Sequence, residues 1–418
     1  MTGIVQKNKP SSGFFCIVLV AAACIVHGIM QGVHDNYGIM MNGLVGTTGI
    51  SYAFISFCIG IGALVYGAAQ PFLGMLALKK SYAFVILLGI AFTVLGLVIT
   101  PVCRTELSVL VFFGLMLPFG TTGLCFGIVM GAVTPFLGEK RAAIVSGIVQ
   151  ASAGIGDALM SPALQALSDS LGIRTAMSVT AVPFVIMIPI AVWLGWINRK
   201  NREAEAAEPE AAVSLTAMLK NALQERDYRL ILIGFATCGF NMSIIESHLY
   251  SQYLSYGIDN SAASLTLTVY GIATMLGAVL SGFLSSKFKM KNVLGTVYAL
   301  RVFVSLAFLF APKSVSFAFI AAAVLGLCGD STVPPTSGIV RKQFGAENMA
   351  VLYGFALIGH QVGAFFSSFL GGLFINYNLG YAPLWVVNLC LALIAAAASY
   401  RITGKHAGRT LQQSGKDA

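Results

Sequence analysis

The sequence predicts an all-α polytopic membrane protein, with twelve transmembrane helices in two pseudo-symmetric six-helix bundles. Three observations carry this expectation. Twelve apolar stretches reach the ~20 residues that a spanning helix needs. The chain of 418 residues is 57% hydrophobic and only 10% charged, far short of the ~25% charge of an ordinary soluble domain. Almost every Lys and Arg falls in alternate gaps between the apolar stretches.

The spans read in order as follows. Span 1, residues 14–42, opens on an apolar run too long for a signal-peptide core. It continues into Gly-rich, polar-punctuated helix and is expected to be a span, with no cleaved leader. Spans 2 and 3, at 51–75 and 82–102, flank Lys79 and Lys80. Spans 4 and 5, at 107–134 and 142–167, flank Lys140 and Arg141. Span 6, at 175–197, runs into the basic Arg199 and Lys200. Spans 7 to 12 follow at 229–255, 261–286, 291–311, 315–340, 348–376 and 381–401. Pro135, Pro162, Pro334 and Pro335 are placed to break or kink spans 4, 5 and 10. The 45 glycines suit helices that pack closely in lipid.

The net charge of +9 is a topology signal. One set of gaps and tails holds 21 of the 25 basic residues, the other set holds three (Arg104, Arg174 and Lys313), and Arg301 lies inside a span. The positive-inside rule then puts both termini in the cytoplasm of a multi-pass inner-membrane protein. Basic gaps of this kind meet anionic lipid, and no nucleic-acid partner is expected. The eight cysteines lie in or at the ends of spans without metal-ligand spacing and read as small packing residues.

The expected organisation is an N-terminal tail (1–13), a six-helix bundle (14–197), a cytoplasmic linker (198–228), a second bundle (229–401) and a tail (402–418). The linker reads as a solvated tether, with a short amphipathic helix over 214–227 as the alternative. The halves repeat. Gly138, Gly147 and Gly156 align with Gly345, Gly354 and Gly363, and an offset of 210 brings Ser51 onto Ser261 and Asn36 onto Glu246. Internal repeats place a substrate site near the midplane, between the halves. That points to a transporter; no nucleotide-binding loop, nucleophile–base spacing or metal cluster suggests an enzyme or a cofactor.

Several segments carry a family resemblance. They are SYAFISFCIGIGALVYGAAQPFLG, SGIVQASAGIGDALMSPALQALSDSLGIRTA, ESHLYSQYLSYGIDNSAAS, NVLGTVYALRVFV and YGFALIGHQVGAFFSSFLGG. Over residues 13–404 the chain resembles the major facilitator superfamily, and more narrowly its bacterial monocarboxylate and oxalate–formate branch. The resemblance implies a monomeric secondary transporter, and it singles out His248 of the ESHL segment. The chain departs from the family's loop 2–3 motif. Leu78 stands four residues after Gly74, and Ser286 four after Gly282, where the family carries an acid. Ala278 stands where monocarboxylate carriers hold a substrate-binding Arg. The gating contacts are therefore expected to differ.

A charge at the centre of a span costs about 2.5–3.5 kcal/mol, so the few that occur are functional candidates. Asp35, Glu246 and Asp157 are candidates for proton coupling, because desolvation favours the protonated acid. His248, His360, Gln361, Asn36 and Tyr37 are candidates for substrate binding, imidazole being able to bind a carboxylate or relay a proton. Arg301 and Asp330, at comparable depths in spans 9 and 10, are expected to form a structural ion pair. The expected function is transport of a small organic anion by alternating access, coupled to protons or to exchange of a second anion. The alternatives are a proton-driven multidrug or organic-cation exporter and, from another class, a non-transporting membrane sensor with a transporter fold.

Overall fold

A computed structural model describes residues 13–137, 139–205 and 215–404. The expected tails at 1–13 and 402–418 and the middle of the linker lie largely outside them. Among the described residues every regular element is helical. Eleven helical stretches are long and apolar enough to cross a membrane. One of them, Ile144–Ile197, is 54 residues long, too long for a single crossing at 1.5 Å per residue of a hydrocarbon core ~30 Å thick. It turns at Gly172, whose φ of 79° and ψ of 157° are non-helical, so it supplies spans 5 and 6 and brings the total to twelve. Glycine permits that turn because it has no Cβ to clash in the left-handed half of φ/ψ space.

The repeat of the two halves shows most clearly in two close crossings. Span 1 packs on span 5, and span 7 packs on span 11. A Cβ placed on Gly156 would meet the Gly28 carbonyl oxygen at 1.8 Å, and one on Gly363 would meet the Ala236 carbonyl oxygen at 1.9 Å. These two contacts are counterparts in the repeat, because Gly28 and Ala236 are 208 positions apart and Gly156 and Gly363 are 207. Small-residue crossings of this kind let backbones approach where no hydrophobic force drives helices together. The two halves then meet through span 2 on span 11 and span 5 on span 8.

Among the described residues spans 1, 4, 7 and 10 are interrupted, as is span 6 at Ala181 and Met187, and the interruptions of spans 1, 7 and 10 carry acidic residues. Span 1 breaks at Asp35 and Asn36, between Gly13–His34 and Tyr37–Thr48. Span 7 carries a π-helical turn at Ile244–Leu249, which contains Glu246 and His248. Span 4 contains a π-helical segment, Leu110–Met116, and resumes after a break at 123–125. Span 10 breaks at Gly329 and continues through the tight turn Asp330–Thr332. Broken backbone is tolerated at membrane depth only where protein or a cavity satisfies it, and such helices commonly form transport sites.

The linker differs from the expected tether in its second part. Leu215–Gln224 is a helix, and its Met218 and Ala222 are buried in one cluster with Tyr228, Ile231 and Phe235 of span 7. A tether has no apolar face to bury; here the amphipathic alternative prevails because tertiary packing supplies the partner surface.

Candidate functional site

The breaks in spans 1, 7 and 10 converge with span 11 at the centre of the molecule. Asp35, Glu246, Asp330 and His360 are each half-buried there. Asp35 interacts electrostatically with Asp157, Glu246 and Asp330, and Glu246 does so with His360 and Asp330. Gln31 donates to Asp35 Oδ1 at 2.7 Å. The Glu246 side chain has no hydrogen-bond partner among the described residues and remains partly accessible. Gln150 of span 5 reaches across the halves and donates to Asp330 Oδ2 at 3.2 Å. His34, buried beside this cluster, stacks on Tyr66 at 4.6 Å between ring centroids.

Other candidates sit in the walls. Asn36 is fully buried, with both polar atoms used. Its Nδ2 donates to Gly32 O at 2.7 Å and to Asp157 Oδ1 at 3.0 Å, while its Oδ1 accepts from Ser161 at 2.8 Å. Asp157 is buried with it. Asn36, Asp157 and Ser161 thus form a satisfied strut between spans 1 and 5, which leaves Asn36, a substrate-binding candidate, with no free polar atom in this conformation. Tyr37 is buried against His34 and Phe113, and Gln361 is buried against Gly67 of span 2.

His248 is also enclosed, and its surroundings explain how the halves close. Its Nδ1 pairs with the Tyr52 hydroxyl at 2.9 Å and its Nε2 with Ser368 O at 3.1 Å. Tyr52 lies 3.3 Å from the Tyr381 hydroxyl. Nearby, Tyr250 donates to Gln165, and Asn260 donates to Asp169 at 3.0 Å. Tyr52, Gln165 and Asp169 belong to the first half, and His248, Tyr250 and Asn260 to the second. All these contacts lie at the end of the molecule away from the linker. Toward the linker, Cβ atoms placed on Gly74, Gly147, Gly282 and Gly354, on spans 2, 5, 8 and 11, would meet nothing within 4 Å. The halves are therefore latched at the end away from the linker, and at the other end these four glycines face open space. The latch lies at the opposite end from loop 2–3, so it does not replace the acids that the motif there lacks. Tyr52, Gln165 and Tyr250 are ordinary membrane-helix residues, and no spacing in the sequence marks them.

The expected direct ion pair between Arg301 and Asp330 is not formed. The break at Gly329 frees two carbonyls, and Arg301 Nη2 donates to Cys328 O and Gly329 O at 2.5 and 3.0 Å. Its Nε and Nη1 have no hydrogen-bond partner, and Tyr298 presents its ring at 5.4 Å. Asp330 turns to Gln150 instead. The sequence does carry a sign of these breaks that hydropathy misses: Gly-Leu-Cys occurs at 123–125 and 326–328, at the interruption in each half. Arg301→Met is expected to lower thermal stability in detergent by about 1–3 kcal/mol for each carbonyl left without a donor. Asp330→Asn, which keeps an acceptor for Gln150, should melt close to wild type. The reverse order of melting temperatures would restore the direct pair.

Comparison with known proteins adds the following. The family model of the Major Facilitator Superfamily matches residues 20–255 and 231–417. Mouse monocarboxylate transporter 11 is 24% identical over 279 residues, which are 66% of this chain and 61% of that protein. An uncharacterized MFS-type transporter of Bacillus subtilis, YcxA, is 26% identical over 180 residues, covering 42% of this chain and 43% of that one. The chain thus spans about 61% of the length of the mouse relative. Among solved structures, a bacterial homolog of the human lysosomal transporter Spinster, inward-facing and unoccupied, superposes with a TM-score of 0.70 at 16% identity, over 93% of this chain and 97% of that one. The nucleoside transporter NupG gives 0.76 at 12% identity, over 92% and 100%. At these identities the likeness is one of fold.

Proposed function

Because the chain belongs to the major facilitator superfamily, we propose that it is a secondary active transporter that carries a small monocarboxylate-like organic anion together with protons. The observation that carries the proton coupling is the central group of half-buried Asp35, Glu246, Asp330 and His360, contributed by both halves. Ionised carboxylates in a poorly hydrated site are costly, and closure of the site around them favours proton uptake. Proton uptake also removes the repulsion that these acids would exert on an anion. Asp35 and Glu246 share one coupling proton per substrate, and His360 donates to the substrate carboxylate. The resemblance to monocarboxylate transporter 11 supports the substrate class.

Transport follows from rocking the bundle of spans 1–6 against that of spans 7–12 about the central site. Both termini face the cytoplasm in this reading, in keeping with the basic gaps, so the unlatched end faces inward. His248 then acts in the latch that closes the outer side. A second reading, export of an organic cation, is favoured by one observation: the central acids outnumber the cations, because Arg301 is turned to backbone carbonyls.

Purified protein screened for thermal stabilisation by small carboxylates and by cationic compounds, then tested for flux in vesicles, separates these readings. Labelling of a cysteine placed at position 80 reports the sidedness of each preparation. The proposal expects stabilisation and pH-driven uptake of a carboxylate. Stabilisation by cations alone establishes the second reading, and binding without any flux establishes a sensor.

A further inference from the structure

On the linker side of the second half, a cavity of about 490 Å³ is lined by Lys287, Lys289, Lys291 and Lys342. We propose that this cavity binds the phosphate group of an anionic phospholipid, with the acyl chains lying along span 8.

Three features of the backbone bring the lysines together. Span 8 ends at Lys287, and span 9 starts at Met290, capped by Lys289, so the connection between them is only two residues long. Lys342 lies in the last turn of the helix Val333–Phe344 of span 10. Lys291 Nζ donates to Ile402 O at 2.7 Å and to Tyr400 O at 3.2 Å, which pins the end of span 12 as one wall. Lys287, Lys289 and Lys342 are exposed.

Among the described residues no acid lines the cavity. Asp227, which is bonded to the lining residues Gln343, Thr403 and Gly404, is already occupied. It accepts from Thr403 N and Oγ1, from Gly404 N, and from Gln343 Nε2 at 2.7 Å. Four ammonium groups around one space, without a counter-charge in its lining, repel one another, and an anion relieves that repulsion. Gln343 adds a second signal. It lines the cavity, is 2% exposed, and its Oε1 has no hydrogen-bond partner. An acceptor among lysines suits a headgroup that offers a hydroxyl beside its phosphate, as glycerol does.

The surface below the lysines fits a lipid ligand. Leu276, Val279, Leu280 and Phe283 are exposed on span 8, and their spacing of three and four residues places them on one helix face. That stripe ends at the cavity: Lys287 Nζ lies 4.3 Å from the Phe283 ring centroid, and Phe288 is 62% exposed at the rim. A lysine that lays its stem on an apolar face and lifts its ammonium to the interface is positioned for a lipid phosphate.

The test uses delipidated full-length protein and native mass spectrometry, with phosphatidylglycerol, phosphatidylcholine and glycerol 3-phosphate as probes. Phosphatidylglycerol is expected to be retained over phosphatidylcholine. The triple variant Lys287→Gln, Lys289→Gln, Lys342→Gln should weaken retention by about five-fold per lysine removed. A control with the same charge change elsewhere on that face, Lys79→Gln, Lys80→Gln, Lys220→Gln, should retain lipid as the wild type does. Equal loss in both triple variants would reduce the effect to general surface charge and overturn the site. Displacement of the lipid by equimolar glycerol 3-phosphate would overturn the lipid assignment in favour of a soluble organophosphate.

Discussion

In vesicles with an imposed pH difference of one unit, the wild-type protein is expected to concentrate its substrate about tenfold, and Asp35→Asn or Glu246→Gln to bring it only to equality. The arithmetic is direct: one proton moving down one pH unit supplies about 1.36 kcal/mol, which is a factor of ten in substrate ratio. A variant that no longer carries the proton loses all of that factor. It should keep ligand binding and exchange between two substrate pools, since neither moves net protons. Asp35 and Glu246 are the informative pair because both are half-buried, one on the span 1 break and the other on the π-helical turn of span 7. Asp157 is the contrast. Its carboxylate is held by Asn36 at 3.0 Å and approached by Ser161 at 3.4 Å, so Asp157→Asn should lower thermal stability by about 1 kcal/mol and leave the accumulation ratio intact. Full accumulation by both Asp35→Asn and Glu246→Gln, with a collapsed ratio in Asp157→Asn, would move the coupling proton to span 5.

What the sequence made legible is what hydropathy and charge measure directly. The twelve spans and the matched glycines of the two halves follow from one-dimensional pattern, because a spanning helix satisfies its own backbone and needs only apolar length. What stayed hidden depends on where side chains point after packing. Asn36 and Asp35 are adjacent in sequence, yet one is walled in and the other half-open, because both lie in the break of span 1, where the backbone turns Asn36 toward span 5. Arg301 and Asp330 were matched by depth alone; depth does not reveal that Gly329 frees carbonyls, which take the guanidinium first. The latch was invisible for a related reason. His248 is legible as an intramembrane imidazole, but its partners Tyr52 and Ser368 come from spans 2 and 11 and are brought to it only by assembly of the halves.

The repeat-matched glycines separate two roles that the sequence alone presents as one, and they give the largest expected effect on folding. Gly156→Ala and Gly363→Ala should each destabilise the protein by about 1–3 kcal/mol or more, because the new Cβ meets a carbonyl oxygen of the partner backbone and no side chain is there to yield. The contacts are 1.8 Å to Gly28 and 1.9 Å to Ala236, so the helix pair itself must separate. Gly147→Ala and Gly354→Ala sit in the same aligned segments, but nothing lies within 4 Å of the added carbon. Those two should melt at or above the wild-type temperature, since alanine favours helix over glycine by up to ~1 kcal/mol. Thermal unfolding of the four variants in detergent decides the matter, and equal melting of all four would mean that the crossings are looser than 1.8 Å implies. The crossings bear on transport as well as stability. Asp157 follows Gly156 in the chain, and a Cβ on Gly239 would meet the His360 carbonyl oxygen, also at 1.8 Å. The backbone that carries each of these polar residues is thus set by a small-residue contact one turn or less away. Where Gly363→Ala still folds, the shift of span 11 against span 7 should displace His360 from Glu246 and weaken substrate binding. Gly354→Ala, on the same helix but facing open space, should bind as the wild type does.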